Sequence, residues 1–342
     1  MMKLFGTQNV CRVLFIAVAF LLAAIPACAS QSDVDFFKGK TITYIVATKP
    51  GGGYDTYGRL IAKYLSKHLD ATVIVKNVPG AGDIIGANQL FAAKPDGLTI
   101  GTFNTGLIYA QLVGQPGIKF DLRKFSWIGK AASDSRVIYV GVKTPYKSFN
   151  DVLQAKQLIL ASSGVGTSDY AEGLMVAEAF GVHIKEITGY AGKEAELAII
   201  RGEVDGQVQS FSSIESYIQS GQGRVLLQIA SRKHPNLPDV PLASEIVPAK
   251  GKKLMDLVAA TSSSLQRLTA APPGMPPGRL QALIGAYKTS LTDPELLAEA
   301  KRASLPIDPL FGEDVAKHVN NALEQPTENV ELLKKIIKQD AK

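Results

Sequence analysis

A glycine triplet, Gly51-Gly-Gly53, stands between a strand-like run and a helical one in the stretch VATKPGGGYDTYGRL that begins at Val46. Glycine admits positive φ and lets a ligand approach the backbone closely. A helix beginning just beyond offers free N–H groups and the positive end of its dipole, so the chemistry such a place supports is anion binding. The same residues also make a plain turn from strand to helix, and both readings stand at this point. Lys49, just before the triplet, adds a positive charge. Asp55 is expected to cap the helix rather than to touch an anion, since a carboxylate would repel one. A Walker phosphate loop is excluded, because no Lys-Ser/Thr pair follows the glycines.

Two further clusters invite the same question. Gly80-Ala-Gly82-Asp-Ile-Ile-Gly86 imitates a dinucleotide fingerprint. That fingerprint asks for an acid at the end of the next strand, and the chain there reads Phe103-Asn104-Thr105, which argues against a dinucleotide. Ser162-Ser-Gly-Val-Gly-Thr-Ser-Asp169 places hydroxyls and glycine N–H groups ahead of another helix. It reads either as a second anion cradle or as a serine-rich capping turn. Two cradles in two lobes suit one anion clamped between them, or a ligand with two anionic ends. Catalytic patterns are sparse. His68, His183, His234 and His318 are scattered outside any metal spacing, and neither a G-x-S-x-G elbow nor an S-x-x-K pair occurs. Glu194 and Glu196 read as an exposed helix face. An enzyme, a metal and a cofactor are therefore not expected.

The elements that must position these loops alternate along the 342 residues. Buried-strand patterns occupy 41–47, 72–77, 98–103, 136–142, 158–161, 184–188, 204–209 and 225–229. Helical patterns fall at 57–69, 84–93, 169–180 and 193–201. This rhythm points to parallel sheets covered by helices, an α/β class. Residues 129–135 and 235–248 read as crossings between two lobes. Ala271-Pro-Pro-Gly-Met-Pro-Pro-Gly278 is a rigid turn into a helix near Pro276.

The amino terminus is separate. Lys3 and Arg12 precede the apolar run Val13–Ile25 and the A-x-A end Ala27-Cys-Ala29, the pattern of a secretory signal peptide cleaved after Ala29. A lipid on Cys28 is the rival reading, with Pro26 fitting that box poorly. Cys11 and Cys28 both lie in this leader, so disulfides, thiol catalysis and zinc–thiolate sites are not expected beyond it. Lys3 and Arg12 account for two of the net +6, leaving +4 without a basic block of nucleic-acid type.

Taken together, the motifs resemble the substrate-binding proteins of tripartite tricarboxylate transporters, the Bug family. The resemblance covers nearly all of the chain beyond the leader. It rests on Pro50-Gly-Gly-Gly-Tyr-Asp55 with Arg59, Val75-Lys-Asn-Val-Pro-Gly-Ala-Gly82 with Gly86-Ala87, and Lys94-Pro-Asp-Gly-Leu-Thr99. Gly164-Val-Gly-Thr167, Gly189-Tyr-Ala-Gly192, Gly202-Glu-Val-Asp205, Asp239-Val-Pro241 with Glu245, and Ala271-Pro-Pro-Gly274 continue it. Each motif is weak alone; their order and spacing are specific. The resemblance implies a periplasmic binding protein of type II, two α/β lobes with a ligand cleft between them. Lobe 1 is expected over 30–130 and 255–342, and lobe 2 over 131–254. It implies a non-enzymatic, monomeric receptor that closes on a small carboxylate and hands it to membrane transporter subunits. Carried over residue by residue, the ligand contacts are Gly52, Gly53, Tyr54 and Asp55, then Ser163, Gly164, Gly166, Thr167 and Ser168. Tyr190 and Asp205 are second-loop neighbours. Asp169-Tyr170 stands where the family often has His-Leu, which leaves the acid itself open: a di- or tricarboxylate, an amino acid or an aromatic acid. A sensory receptor and a secreted α/β enzyme are the other function classes.

Overall fold

A computed structural model describes residues 31–190 and 192–339. The leader expected over 1–29, with Cys11 and Cys28, lies outside the described residues. Eleven strands are found among those described. The first four are β1 (Thr41–Val46), β2 (Thr72–Asn77), β3 (Thr99–Thr102) and β4 (Ser126–Ala132). Next come β5 (Arg136–Gly141), β6 (Leu158–Ser162), β7 (Ile184–Thr188), β8 (Gly206–Ser210) and β9 (Gly223–Ile229). Finally β10 (Gln266–Ala271) and β11 (Leu310–Phe311) return to the start.

These strands form two sheets, in the orders β11-β4-β10-β3-β1-β2 and β7-β6-β8-β5-β9. The α/β class and two-lobe architecture are as expected, but the sheets are mixed rather than parallel. β2, β1 and β3 run parallel, as do β7, β6 and β8, because helical crossovers join them. β10 is antiparallel to both β3 and β4, and β5 to both β8 and β9. The reason is the connection. β4 leaves the first sheet and feeds β5 of the second with only Ser133–Ser135 between, so neither strand has a crossover helix to reverse it. Most of 129–135 is therefore strand rather than crossing.

The way back also differs from expectation. Residues 235–248 do not cross; they fold over β9, where the Gln228 side-chain amide donates to the carbonyls of Leu237 and Val240 at 2.9 and 2.8 Å. The return runs through five residues of π-helical backbone, Ala259–Ser263, directly into β10. The two passages lie side by side: Asp134 N donates to Ser263 O at 2.9 Å, and Gln266 Nε2 donates to Asp134 O at 3.1 Å. Two adjacent, hydrogen-bonded connections are what a hinge between lobes requires.

The helices cover the sheets with apolar faces. In the helix Gly53–Leu69, Leu60, Ile61, Tyr64 and Leu65 are buried on one side while Arg59, Lys63 and Lys67 remain outside. Burial of such a side chain contributes roughly 1.5–3 kcal/mol, so the face rather than the loop fixes this helix against β1. Among the described residues no helix is long and apolar enough to cross a membrane.

Candidate functional site

The two expected cradles meet across one cavity of about 710 Å³ between the lobes. Its first wall comes from the end of β1 and the opening turn of the helix Gly53–Leu69, with Lys49, Gly52, Gly53 and Tyr54 among its lining. The second comes from the end of β6 and the start of the helix Ser168–Phe180, with Ser163, Gly164, Thr167 and Ser168. Two helix N-termini from two lobes thus open on one space, the arrangement that favours an anion. The lobes touch at its edges. Lys49 Nζ pairs with Glu194 Oε2 at 3.2 Å, and Ser168 N donates to Asn104 Oδ1 at 3.1 Å. Lys49 is therefore matched by an acid of the other lobe, where the sequence left it a spare positive charge.

Several site candidates take other roles. Asp55 is not the residue that caps the helix; Gly52 is, and Asp55 sits in the first turn. It accepts Gly51 N at 3.0 Å, Asn77 Nδ2 at 2.9 Å and Arg59 at 2.9 Å. Burial raises its pKa, but these bonds outweigh burial and leave it lowered. It shapes the glycine loop from behind. Gly166 does not line the cavity; its φ of +87° lets the loop turn against the Gln115 side chain. Tyr190 gives its hydroxyl proton to Glu203 at 3.0 Å, and Asp205 accepts Ile159 N at 2.8 Å; neither lines the cavity. Asp205 lies instead at the far end of β6, holding the strand's entry.

The second cradle has also spent some of its donors. Ser163 gives both its N–H and its hydroxyl to Asp169 Oδ2 at 2.8 Å, and Thr167 Oγ1 bonds Gly164 O at 2.6 Å. What the cavity offers instead are two buried arginines. Arg136, first residue of β5, pairs with Glu172 at 2.7 Å and reaches Ser210 Oγ at 3.1 Å and Ser168 Oγ at 3.5 Å. Burial opposes its charge, but Glu172 outweighs that and raises its pKa. Arg267, in β10, is 3% exposed with φ of +61°. Its guanidinium lies over Tyr54 at 4.4 Å and Tyr57 at 4.9 Å, and Nη2 donates to Ser213 Oγ at 3.3 Å. Its Nε is buried without a hydrogen-bond partner. Sequence reasoning missed both. Arg136 opened an otherwise apolar strand, a signal that was there to read; Arg267 lay in a strand the pattern did not reveal.

Asp83 was missed too. It lines the cavity with φ of +73° and accepts Asn104 N at 3.0 Å. Burial lifts its pKa to about 7, with Asp169 of the other lobe adding to the rise. Because the folded value lies above the ordinary 3.8, stability is full below pH 3.8 and is lost as pH rises through about 7. Asp83→Asn, which keeps the acceptor and tolerates positive φ, removes that loss. Its Tm advantage over wild type is expected to be small at pH 4 and to grow to a plateau above pH 7, worth up to a few kcal/mol at about 1.4 kcal/mol per pKa unit. Parallel Tm curves for the two proteins would contradict this.

Comparison with known proteins places this geometry. Residues 58–332 match the family model described as "Tripartite tricarboxylate transporter family receptor". The chain belongs to that family. Among the relatives of this receptor is a protein of the tcbD-tcbE intergenic region of Pseudomonas sp. strain P51, 25% identical over 290 residues, covering 83% of each chain. Protein BugT of Bordetella pertussis is 24% identical over 249 residues, covering 70% of this chain and 75% of its own. The receptor fold is shared with the periplasmic binding protein BugD, with TM-score 0.74 and 23% identity over 87% of this chain and 97% of that one. MatC of Rhodopseudomonas palustris, solved with bound malate, superposes with TM-score 0.71 and 21% identity over 87% and 99%.

Proposed function

We propose that this receptor is a periplasmic solute-binding protein, secreted through a cleaved leader and monomeric, that captures a small organic carboxylate and delivers it to a tripartite tricarboxylate-type transporter. The observation that carries the reading is the cavity closed by two lobes with a helix N-terminus from each and the unspent donor of Arg267 at its wall. The carboxylate lies against Gly52, Gly53 and Tyr54 with the Arg267 guanidinium beside it, and Ser163, Gly164, Thr167 and Ser168 complete the enclosure from the other lobe. Bound malate in MatC, and adipate in another R. palustris protein of the same fold, fit this class of ligand. The mechanism is stabilisation of the closed form, in which both walls reach one ligand; either wall alone leaves the anion half solvated. Ordered water bridging the shorter acids to the walls would let one scaffold serve several of them. The reading requires no chemical step.

The test is a thermal-shift screen of mono-, di- and tricarboxylates, followed by calorimetry on those that raise Tm. Gly53→Val serves as the site variant. A side chain there would begin 2.6 Å from Arg267 Nη2 and 2.7 Å from Ser213 Oγ, so it displaces the guanidinium from the cavity without breaking backbone contacts. It is expected to abolish binding and to leave Tm within a few degrees. No Tm rise across the panel, or wild-type affinity in the variant, would sink the reading.

A further inference from the structure

Arg267 is held where an unassisted guanidinium would not stay. It lies against the opening turn of the helix Gly53–Leu69, where a methyl group on Gly53 would stand 2.6 Å from Nη2 and 3.1 Å from Cζ. The first turn of a helix is its positive end, so a cation placed there is repelled. Asp134 lies near enough to feel the charge, but it spends Oδ2 on Ser212 N at 2.9 Å. Among the described residues no acid stands at ion-pair distance from Arg267. Its Nε has no hydrogen-bond partner, and the Nη2 bond to Ser213 Oγ is long at 3.3 Å. Polar contacts do not hold this group; what remains is aromatic.

Two rings of that same helix supply it. Tyr54 and Tyr57 are three residues apart and so stand on one face, a turn from each other. The guanidinium carbon lies 4.4 Å from the first ring centre and 4.9 Å from the second. Gly53 leaves the room that the guanidinium fills, so a single stretch of helix makes the whole cradle. The two rings are not equivalent. Tyr54 lines the cavity and would itself meet a ligand. Tyr57 is not in the lining; it is 2% exposed, and its hydroxyl donates to Pro306 O at 2.7 Å. Burial raises its pKa, with Arg267 opposing the rise, so the hydroxyl stays neutral and keeps that bond. A ring fixed in this way, outside the lining, can orient a guanidinium without touching what the guanidinium binds.

We infer that Tyr57 is a positioning residue for carboxylate binding: its ring holds the Arg267 guanidinium at the helix start before the ligand arrives. This rests on the solute-receptor reading above and adds to it a residue that no ligand contacts. A long side chain that must be immobilised as it binds costs affinity, and one that is already held does not. The attraction runs between the cation and the electron-rich face of the ring. It therefore depends on the charge distribution of the ring, whereas packing depends on its shape alone. That difference separates positioning from a structural role.

Calorimetry on the mature chain with malate, succinate, adipate and citrate tests this. Tyr57→Phe keeps the ring and is expected to bind within about 3-fold of wild type. Pentafluorophenylalanine at position 57 has nearly the shape of phenylalanine with the charge distribution of the ring reversed. It is expected to bind the same acids about 10-fold more weakly than Tyr57→Phe does, at a Tm within a few degrees of that variant. In the Arg267→Met background the same exchange should change affinity by less than about 2-fold, because the ring then has no cation to hold. Equal affinity of the phenylalanine and pentafluorophenylalanine proteins overturns the positioning role and leaves the carboxylate receptor standing. So does a loss that is as large without Arg267 as with it. Absence of binding by all four acids to the wild-type chain overturns the receptor reading and this inference with it.

Discussion

Arg267→Met is expected to weaken carboxylate binding by about 100-fold or more while leaving Tm within a few degrees of wild type. A hydrogen bond from a charged donor contributes roughly 1.5–3 kcal/mol, and a guanidinium facing a carboxylate offers two in parallel. At about 1.4 kcal/mol per tenfold, loss of the pair reaches that factor. Stability should respond less, because the folded protein gains little from this side chain. Its backbone sits at φ +61°, a region that favours glycine, and its Nε has no partner. Desolvated stacking on Tyr54 and Tyr57 supplies about 2 kcal/mol in return, which largely offsets the unpaired donor. A group held in a costly place with a donor unspent is what a ligand, rather than the fold, makes favourable. Arg267→Lys separates charge from geometry. Lysine keeps the charge but loses the planar fork, so an intermediate loss of about 10-fold is expected. Wild-type affinity in the methionine variant would remove Arg267 from the site.

Arg267 also shows where the sequence stopped being legible. The parallel strands were visible because each is a short apolar run followed by a helical pattern, and β1 at Thr41–Val46 falls almost where 41–47 was expected. β10 was invisible for a physical reason. Gln266-Arg-Leu-Thr-Ala-Ala271 is wholly buried yet polar at three of its six positions, since it begins at the cleft and runs in the middle of a sheet. Periodicity finds faces that separate water from core; it does not find a strand whose buried polar groups face the hinge and the cleft. β4 was hidden similarly, with Lys130 buried among apolar neighbours and satisfied by Ser133, Ser264 and Asp308. The glycine loops were legible because glycine marks them in one dimension. Of the charged residues that face them, Asp169 stood out beside the second loop; Asp83, Arg136 and Arg267 did not, because they join it only once the two lobes are folded against each other.

The closed arrangement itself carries the second large prediction. Gly106 begins the helix Gly106–Val113 in the first lobe, and a methyl group on it would stand against the backbone N of Ser168 in the second. The same methyl would lie 2.8 Å from Thr167 C and 2.9 Å from Asn104 Oδ1. Backbone atoms at a helix start cannot yield as the tip of a side chain can, so Gly106→Ala forces the lobes apart at this point. It also breaks the Ser168 N to Asn104 Oδ1 bond that joins them. Within the first lobe the methyl meets only the tip of the Asn104 side chain, which can shift by a few tenths of an ångström, so the cost there is small. The open form therefore keeps its stability while the closed form loses its contact. If closure is what the ligand stabilises, affinity should fall by about 100-fold or more, and the radius of gyration should no longer contract when ligand is added to saturation. Gly285→Ala, in the helix Pro277–Thr292 where an added methyl meets nothing within 4 Å, is the matched control and should bind as wild type does. Tight binding by Gly106→Ala with normal contraction would mean that the ligand-bound receptor does not use this contact between the lobes, and the cavity walls would then have to meet in a different register.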